Sequence, residues 1–201
     1  MDSYLFEVVL LLAAVVLILV FAVFALARQI GVLHTRLAPA GALMTTAGPK
    51  VGEASPKLSV PDLEGKPVAI GGAKKLPQLL LFVSPTCPVC KELVPTARSM
   101  AKSEKLSLVF GSDGGEVAKH TDYVRKMKIE NFPYVVSQEM GMKFEVSKLP
   151  YAVLIDEQGV LRSKGLVNSR EHLESLVESM RTGYESIQDY IVKEELIGEQ
   201  A

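Results

Sequence analysis

Apolar positions are spread unevenly along this chain. Residues 8–27 (VVLLLAAVVLILVFAVFALA) carry no charge and are apolar all round, without an amphipathic stripe. At about 1.5 Å per helical residue such a run is roughly 30 Å long, the thickness of a bilayer's hydrocarbon core, and predicts a transmembrane helix rather than a buried core helix. A cleaved signal peptide is the rival reading, since Ala25-Leu26-Ala27 is an A-x-A site. Against it, residues 1–7 hold no Lys or Arg, and the run exceeds the roughly 7–15 residues of a signal's apolar segment. We therefore expect residues 1–7 to flank a retained anchor at 8–27. Residues 28–56 then turn to Ala, Gly, Pro and Thr, a composition suited to an extended tether.

From residue 57 to 183 short apolar runs alternate with helical patterns, which predicts an α/β domain. Residues 58–63 and 67–70, joined by Glu64-Gly65-Lys66, read as a small hairpin. Residues 78–84 (QLLLFVS) are the continuous apolar run of a strand covered on both faces, hence a central strand. Residues 87–103 place Val89, Leu93, Val94, Ala97, Met100 and Ala101 at helical spacing, with Pro88 fit for the first turn and Pro95 expected to bend the helix. A second strand follows at 106–111, a polar helix at about 116–127, and a short extended segment at 134–137. Residues 151–155 and 160–166 flank Asp156-Glu157-Gln158-Gly159 and predict another hairpin. A last helix begins near Asn168, expected as its cap with Glu171 completing a capping box, and turns Leu173, Leu176, Val177 and Met180 to the core. The tail, 184–201, is partly amphipathic.

The 201 residues carry a formal net charge of −1, so no global field favours nucleic acid. Arg28 and Arg36 follow the anchor while Asp2 and Glu7 precede it, and the positive-inside rule taken alone would put the C-terminal domain in the cytoplasm. The cysteines point the other way. There are two, Cys87 and Cys90, at the junction of an apolar strand and a helix. At a helix N-terminus Cys87 faces unpaired N–H groups and the positive end of the macrodipole, which stabilise a thiolate, the nucleophile of disulfide exchange. Cys90, one turn further in, lies on the same side and is the natural resolving residue. Pro88 and Val89 between them shape the turn and so the redox poise of the pair.

Three other readings weigh less. A structural disulfide here would close a tiny loop and constrain little of the unfolded chain. A zinc site would need ligands from His34, His120 and His172, which lack ligand spacing and read as surface residues without a role. Two inert core cysteines fit poorly with a strand-to-helix junction.

The segment FVSPTCPVCKELVP, preceded by VGEASPKLSVPDLEGKPVAI and followed by KLPYAVLIDEQGVL, resembles the membrane-tethered thioredoxin-like oxidoreductases of TlpA and ResA type. With RQIGVLHTRLAPAGAL after the anchor, the chain is similar over nearly its whole length to the MauD family of methylamine dehydrogenase accessory proteins. The resemblance implies a thioredoxin-like fold, catalytic Cys87 and Cys90 supported by Thr86, Pro88 and Val89, and a cis-proline at Pro150. Leu149 before it would offer its backbone to an extended client. It further implies a periplasmic domain, no cofactor beyond a redox-active Cys87–Cys90 disulfide, and a cysteine-rich client, the small subunit of methylamine dehydrogenase, with a separate redox partner for recycling. A reductant for cytochrome c assembly, or a non-enzymatic holder of an immature subunit, are the alternatives. Two departures stand out: thioredoxins proper carry Trp just before the first cysteine and a buried Asp six residues before it, where this chain has Thr86 and Leu81. A peroxiredoxin reading fails because Leu80 replaces the required proline, although Ser84 fits.

Overall fold

The computed structural model describes residues 2–36 and 48–183. It divides into an N-terminal helical unit and a globular unit, each taken by itself. The first is helix α1, Asp2–Arg36, whose stretch Tyr4–Phe24 is 21 residues long and apolar enough to cross a membrane, with none of it buried. The helix runs on past Ala27, the end of the expected anchor, into the expected tether. Charge at Arg28 ends an apolar span but not a helix, and Arg, Gln, Ile and Leu all propagate one.

In the globular unit a hairpin of β1, Leu58–Pro61, and β2, Pro67–Ile70, precedes the main sheet. Asp62 shapes its turn, accepting the N–H groups of Glu64 and Lys66 at 2.9 and 2.8 Å. The sheet has five strands: β3 Gln78–Phe82, β4 Ser107–Ser112, β5 Tyr134–Val136, β6 Tyr151–Ile155 and β7 Leu161–Leu166. Their order is β5-β4-β3-β6-β7, with β3, β4 and β5 parallel and β6 and β7 antiparallel to their neighbours. β3 is the central strand, and every residue of it is buried. Alternate residues feed two cores. Leu79, Leu81 and Val83 pack with α2 (Pro88–Ser103), α3 (Val117–Met127) and α5 (Arg170–Thr182), while Leu80 and Phe82 pack with the hairpin and α4 (Gln138–Lys143).

Several expectations are corrected. The last part of the expected tether belongs to the domain: Gly52 N–H donates to Leu161 O at 2.8 Å, Leu161 N–H to Glu53 O at 2.9 Å and Ser55 N–H to Gly159 O at 2.9 Å. The segment covers part of the edge of β7, whose open N–H and C=O groups need partners. Residues 37–47 of that tether, and the tail 184–201, lie outside the described residues. Helix α5 is capped by Ser169, whose hydroxyl accepts the His172 N–H at 3.4 Å, and not by Asn168. Glu171 therefore stands one place too early for a capping box. The sequence pattern does not predict helix α4, which follows directly on the edge strand β5. His120 is no surface residue: it is 2% exposed.

Candidate active site

The site sits where β3 runs into α2. The ladder continues one step past Phe82, with Val83 N–H donating to Gly111 O at 2.8 Å, and the chain then turns over Ser84-Pro85-Thr86. Cys87 is the N-cap of α2, in extended backbone geometry, and its sulfur accepts the Cys90 N–H at 3.1 Å. Pro88 holds the first helical position, where a missing N–H costs nothing. The helix runs unbroken through Pro95.

Cys87 and Cys90 are disulfide-bonded, with their Cα atoms 5.3 Å apart. The two sulfurs differ in access: Cys87 is half-buried, whereas Cys90 is completely buried among the side chains of the α2 face. Thr86, Pro88 and Val89 are exposed around them. No acidic side chain stands in the first turn of α2 to oppose a developing thiolate. The arrangement can present one sulfur to a partner and keep the other in reserve.

The peptide bond Leu149-Pro150 is cis. Its position follows from the register, since Phe82, the last residue of β3, pairs with Tyr151, the first of β6. Pro150 and the turn leading to Cys87 therefore share one end of the sheet. Pro150 is buried and its carbonyl accepts the Val167 N–H at 3.0 Å, while the half-buried Leu149 packs on both cores. Leu81, in the place of the thioredoxin aspartate, is fully buried in apolar company.

One polar group near this end of the sheet was missed in the sequence. His120 Nε2 lies 2.7 Å from Gly114 O and Nδ1 3.0 Å from the Tyr134 hydroxyl. A carbonyl only accepts, so Nε2 carries a proton, and in the neutral imidazole Nδ1 then accepts from the phenol. The imidazole thereby ties the loop after β4 to β5. Burial pushes the Tyr134 phenol up to about 12, which keeps it a donor at any physiological pH. Among the described residues, no group of three or more His, Cys, Asp or Glu is placed to hold a metal ion.

Comparison with known proteins agrees with this geometry. The thioredoxin-like family matches residues 77–161, which run from the start of β3 into β7. The methylamine utilization protein MauD of Paracoccus versutus is 47% identical over 83% of this chain and 84% of its own length. That of Methylorubrum extorquens is 49% identical over 83% of this chain and 82% of its own. This chain belongs to the MauD family. Its fold is shared with more distant solved structures. A secreted Mycobacterium tuberculosis disulfide oxidoreductase, 21% identical, superposes with a TM-score of 0.51 over 61% of this chain and 95% of its own. The thioredoxin domain of a Bacteroides vulgatus thiol-disulfide oxidoreductase, 18% identical, gives 0.54 over 65% and 97%. These two show the thioredoxin-like fold of this MauD family member, with an N-terminal apolar helix added to it.

Proposed function

We propose that this chain is a membrane-anchored thiol–disulfide oxidoreductase that forms or rearranges disulfides in a client protein needed for methylamine utilization. The observation that carries the reading is the Cys87–Cys90 disulfide at the N-terminus of α2, with Cys87 the reachable sulfur and Cys90 sealed behind it. The names of the relatives supply the pathway, and the family resemblance supplies the client, the cysteine-rich small subunit of methylamine dehydrogenase. Eight cysteines alone allow 105 pairings, so such a subunit needs exchange chemistry to reach one of them. Disulfides persist outside the cytoplasm, which favours a periplasmic domain over the orientation suggested by Arg28 and Arg36. Helix α1 would keep the domain at the membrane from which clients emerge.

In the oxidising direction a client thiolate attacks Cys87 Sγ, the Cys87–Cys90 bond breaks, and Cys90 leaves as a thiolate that takes up a proton. A second client thiolate then attacks the client sulfur of the mixed disulfide. The client leaves with its own disulfide, two electrons pass to the pair, and both cysteines end as thiols. In the isomerising direction the Cys87 thiolate attacks a client disulfide. A client thiolate then expels it, or Cys90 does so and leaves the client reduced. Pro88 and Val89 set the turn, while Leu149 and Pro150 form the neighbouring wall against which an extended client segment lies. The test is trapping in the native host. Cys90→Ala should accumulate a covalent complex between Cys87 and the methylamine dehydrogenase small subunit, and Cys87→Ala should not. No complex in either variant, or equal complex in both, would rule the mechanism out.

A further inference from the structure

We propose that Ser84 is a positioning residue for this exchange: its hydroxyl and carbonyl hold the turn that keeps the Cys87 sulfur at the N-terminus of α2. The inference rests on the reading of Cys87 as the attacking sulfur. Ser84 stands between two fixed elements, one residue after the Val83 N–H is spent on Gly111 O and three before the N-cap of α2. Its carbonyl accepts the Cys87 N–H at 3.1 Å, closing a four-residue turn with Pro85 in the second position, where the fixed φ of proline favours it. Its hydroxyl lies 3.0 Å from that of Thr86 and accepts the Thr86 N–H at 3.4 Å. Ser84 thus takes up both N–H groups that immediately precede the reactive side chain. Beyond Pro88, which has no N–H to give, the Cys90 N–H reaches back to Cys87 Sγ at 3.1 Å.

Without the hydroxyl, the Thr86 N–H turns to water and the Ser84–Cys87 turn gains freedom to twist. The sulfur then drifts relative to the N–H groups of α2. A thiolate is more sensitive to that drift than a disulfide, because hydrogen bonds to a charged acceptor are the stronger ones. The consequence falls on the reduced state: less Cys87 thiolate at neutral pH and slower attack. Ser84 does not touch the client in this account; it acts through Thr86 and the backbone of Cys87.

The experiment uses the full chain in detergent in a Cys90→Ala background, which leaves Cys87 the one thiol of a chain with two cysteines. Its alkylation by iodoacetamide is followed across pH, beside circular dichroism of each variant. Ser84→Ala should slow alkylation at neutral pH by about twofold to tenfold, the range of one net hydrogen bond, and move the profile's midpoint upward. Ser84→Thr, which retains the hydroxyl, should keep the parent profile. An unmoved Ser84→Ala profile, or an equal loss in Ser84→Thr, overturns the inference. Should Ser84→Ala fail to fold, Thr86→Val at its exposed position carries the test, with a smaller shift of the same sign expected and no shift overturning the inference. A parent profile like that of a free thiol sinks the exchange reading itself. A parent rich in thiolate but indifferent to both substitutions sinks only the role of Ser84.

Discussion

Raising the pH should loosen the domain through its buried phenols. Tyr134 is 2% exposed, and burial lifts its phenol from the usual 10.0 to about 12; Tyr123, 3% exposed, is raised by the same cause. For Tyr134 the folded value stands above the unfolded one. Its contribution is therefore complete below pH 10, declines as the unfolded phenol begins to ionise, and is gone once pH passes the folded value near 12. Two units at about 1.36 kcal/mol each give roughly 2–3 kcal/mol from Tyr134, with Tyr123 adding a loss of the same sign. Tyr134→Phe removes this slope, yet it also strips His120 Nδ1 of its donor, costing about 1–3 kcal/mol at neutral pH. Urea unfolding between pH 8 and 12, followed together with tyrosinate absorbance, checks both effects. Six tyrosines titrating as ordinary phenols near pH 10 in a chain that is still folded would rule out this effect of burial.

Substitutions at Asp156 and at the cap of α5 probe the frame around the site. Asp156, 5% exposed, accepts the N–H groups of Gln158 and Val160 at 3.0 and 2.8 Å and pairs with Arg162 at 2.6 Å, so Asp156→Ala should cost about 1–3 kcal/mol in urea unfolding, and Asp156→Asn less. Ser169→Ala should lower stability by about 1 kcal/mol in the same assay, whereas Asn168→Ala should leave it within the error, because only Ser169 caps α5.

The parts that were legible in the sequence are those decided by local pattern. QLLLFVS announces a doubly covered strand and the structure puts it at the centre of the sheet. The cysteine spacing and Pro88 mark a helix start, and there the Cys87 sulfur serves as cap. The cis bond before Pro150 came from family resemblance and not from periodicity. What escaped depends on contacts between distant segments or on near ties. Helix α4, with Met140 its only buried residue, has no periodicity to detect. Asn168 and Ser169 are both good caps, and the helix uses the second. His120 lies on a helix that reads as polar, and its burial follows from Tyr134 and Gly114 arriving from other elements. The Ser84 hydroxyl acquires its place only once the turn over Pro85 exists.

On the proposed mechanism Cys87 and Cys90 exchange reversibly with outside thiols, through Cys87. Equilibrating the full chain with glutathione buffers of graded ratio, quenching with acid and reading the products by mass spectrometry tests it directly. Reversible interconversion between the disulfide and the dithiol is expected, with any captured glutathione on Cys87. A pair that stays locked across the whole series, or that carries glutathione on Cys90, would contradict it.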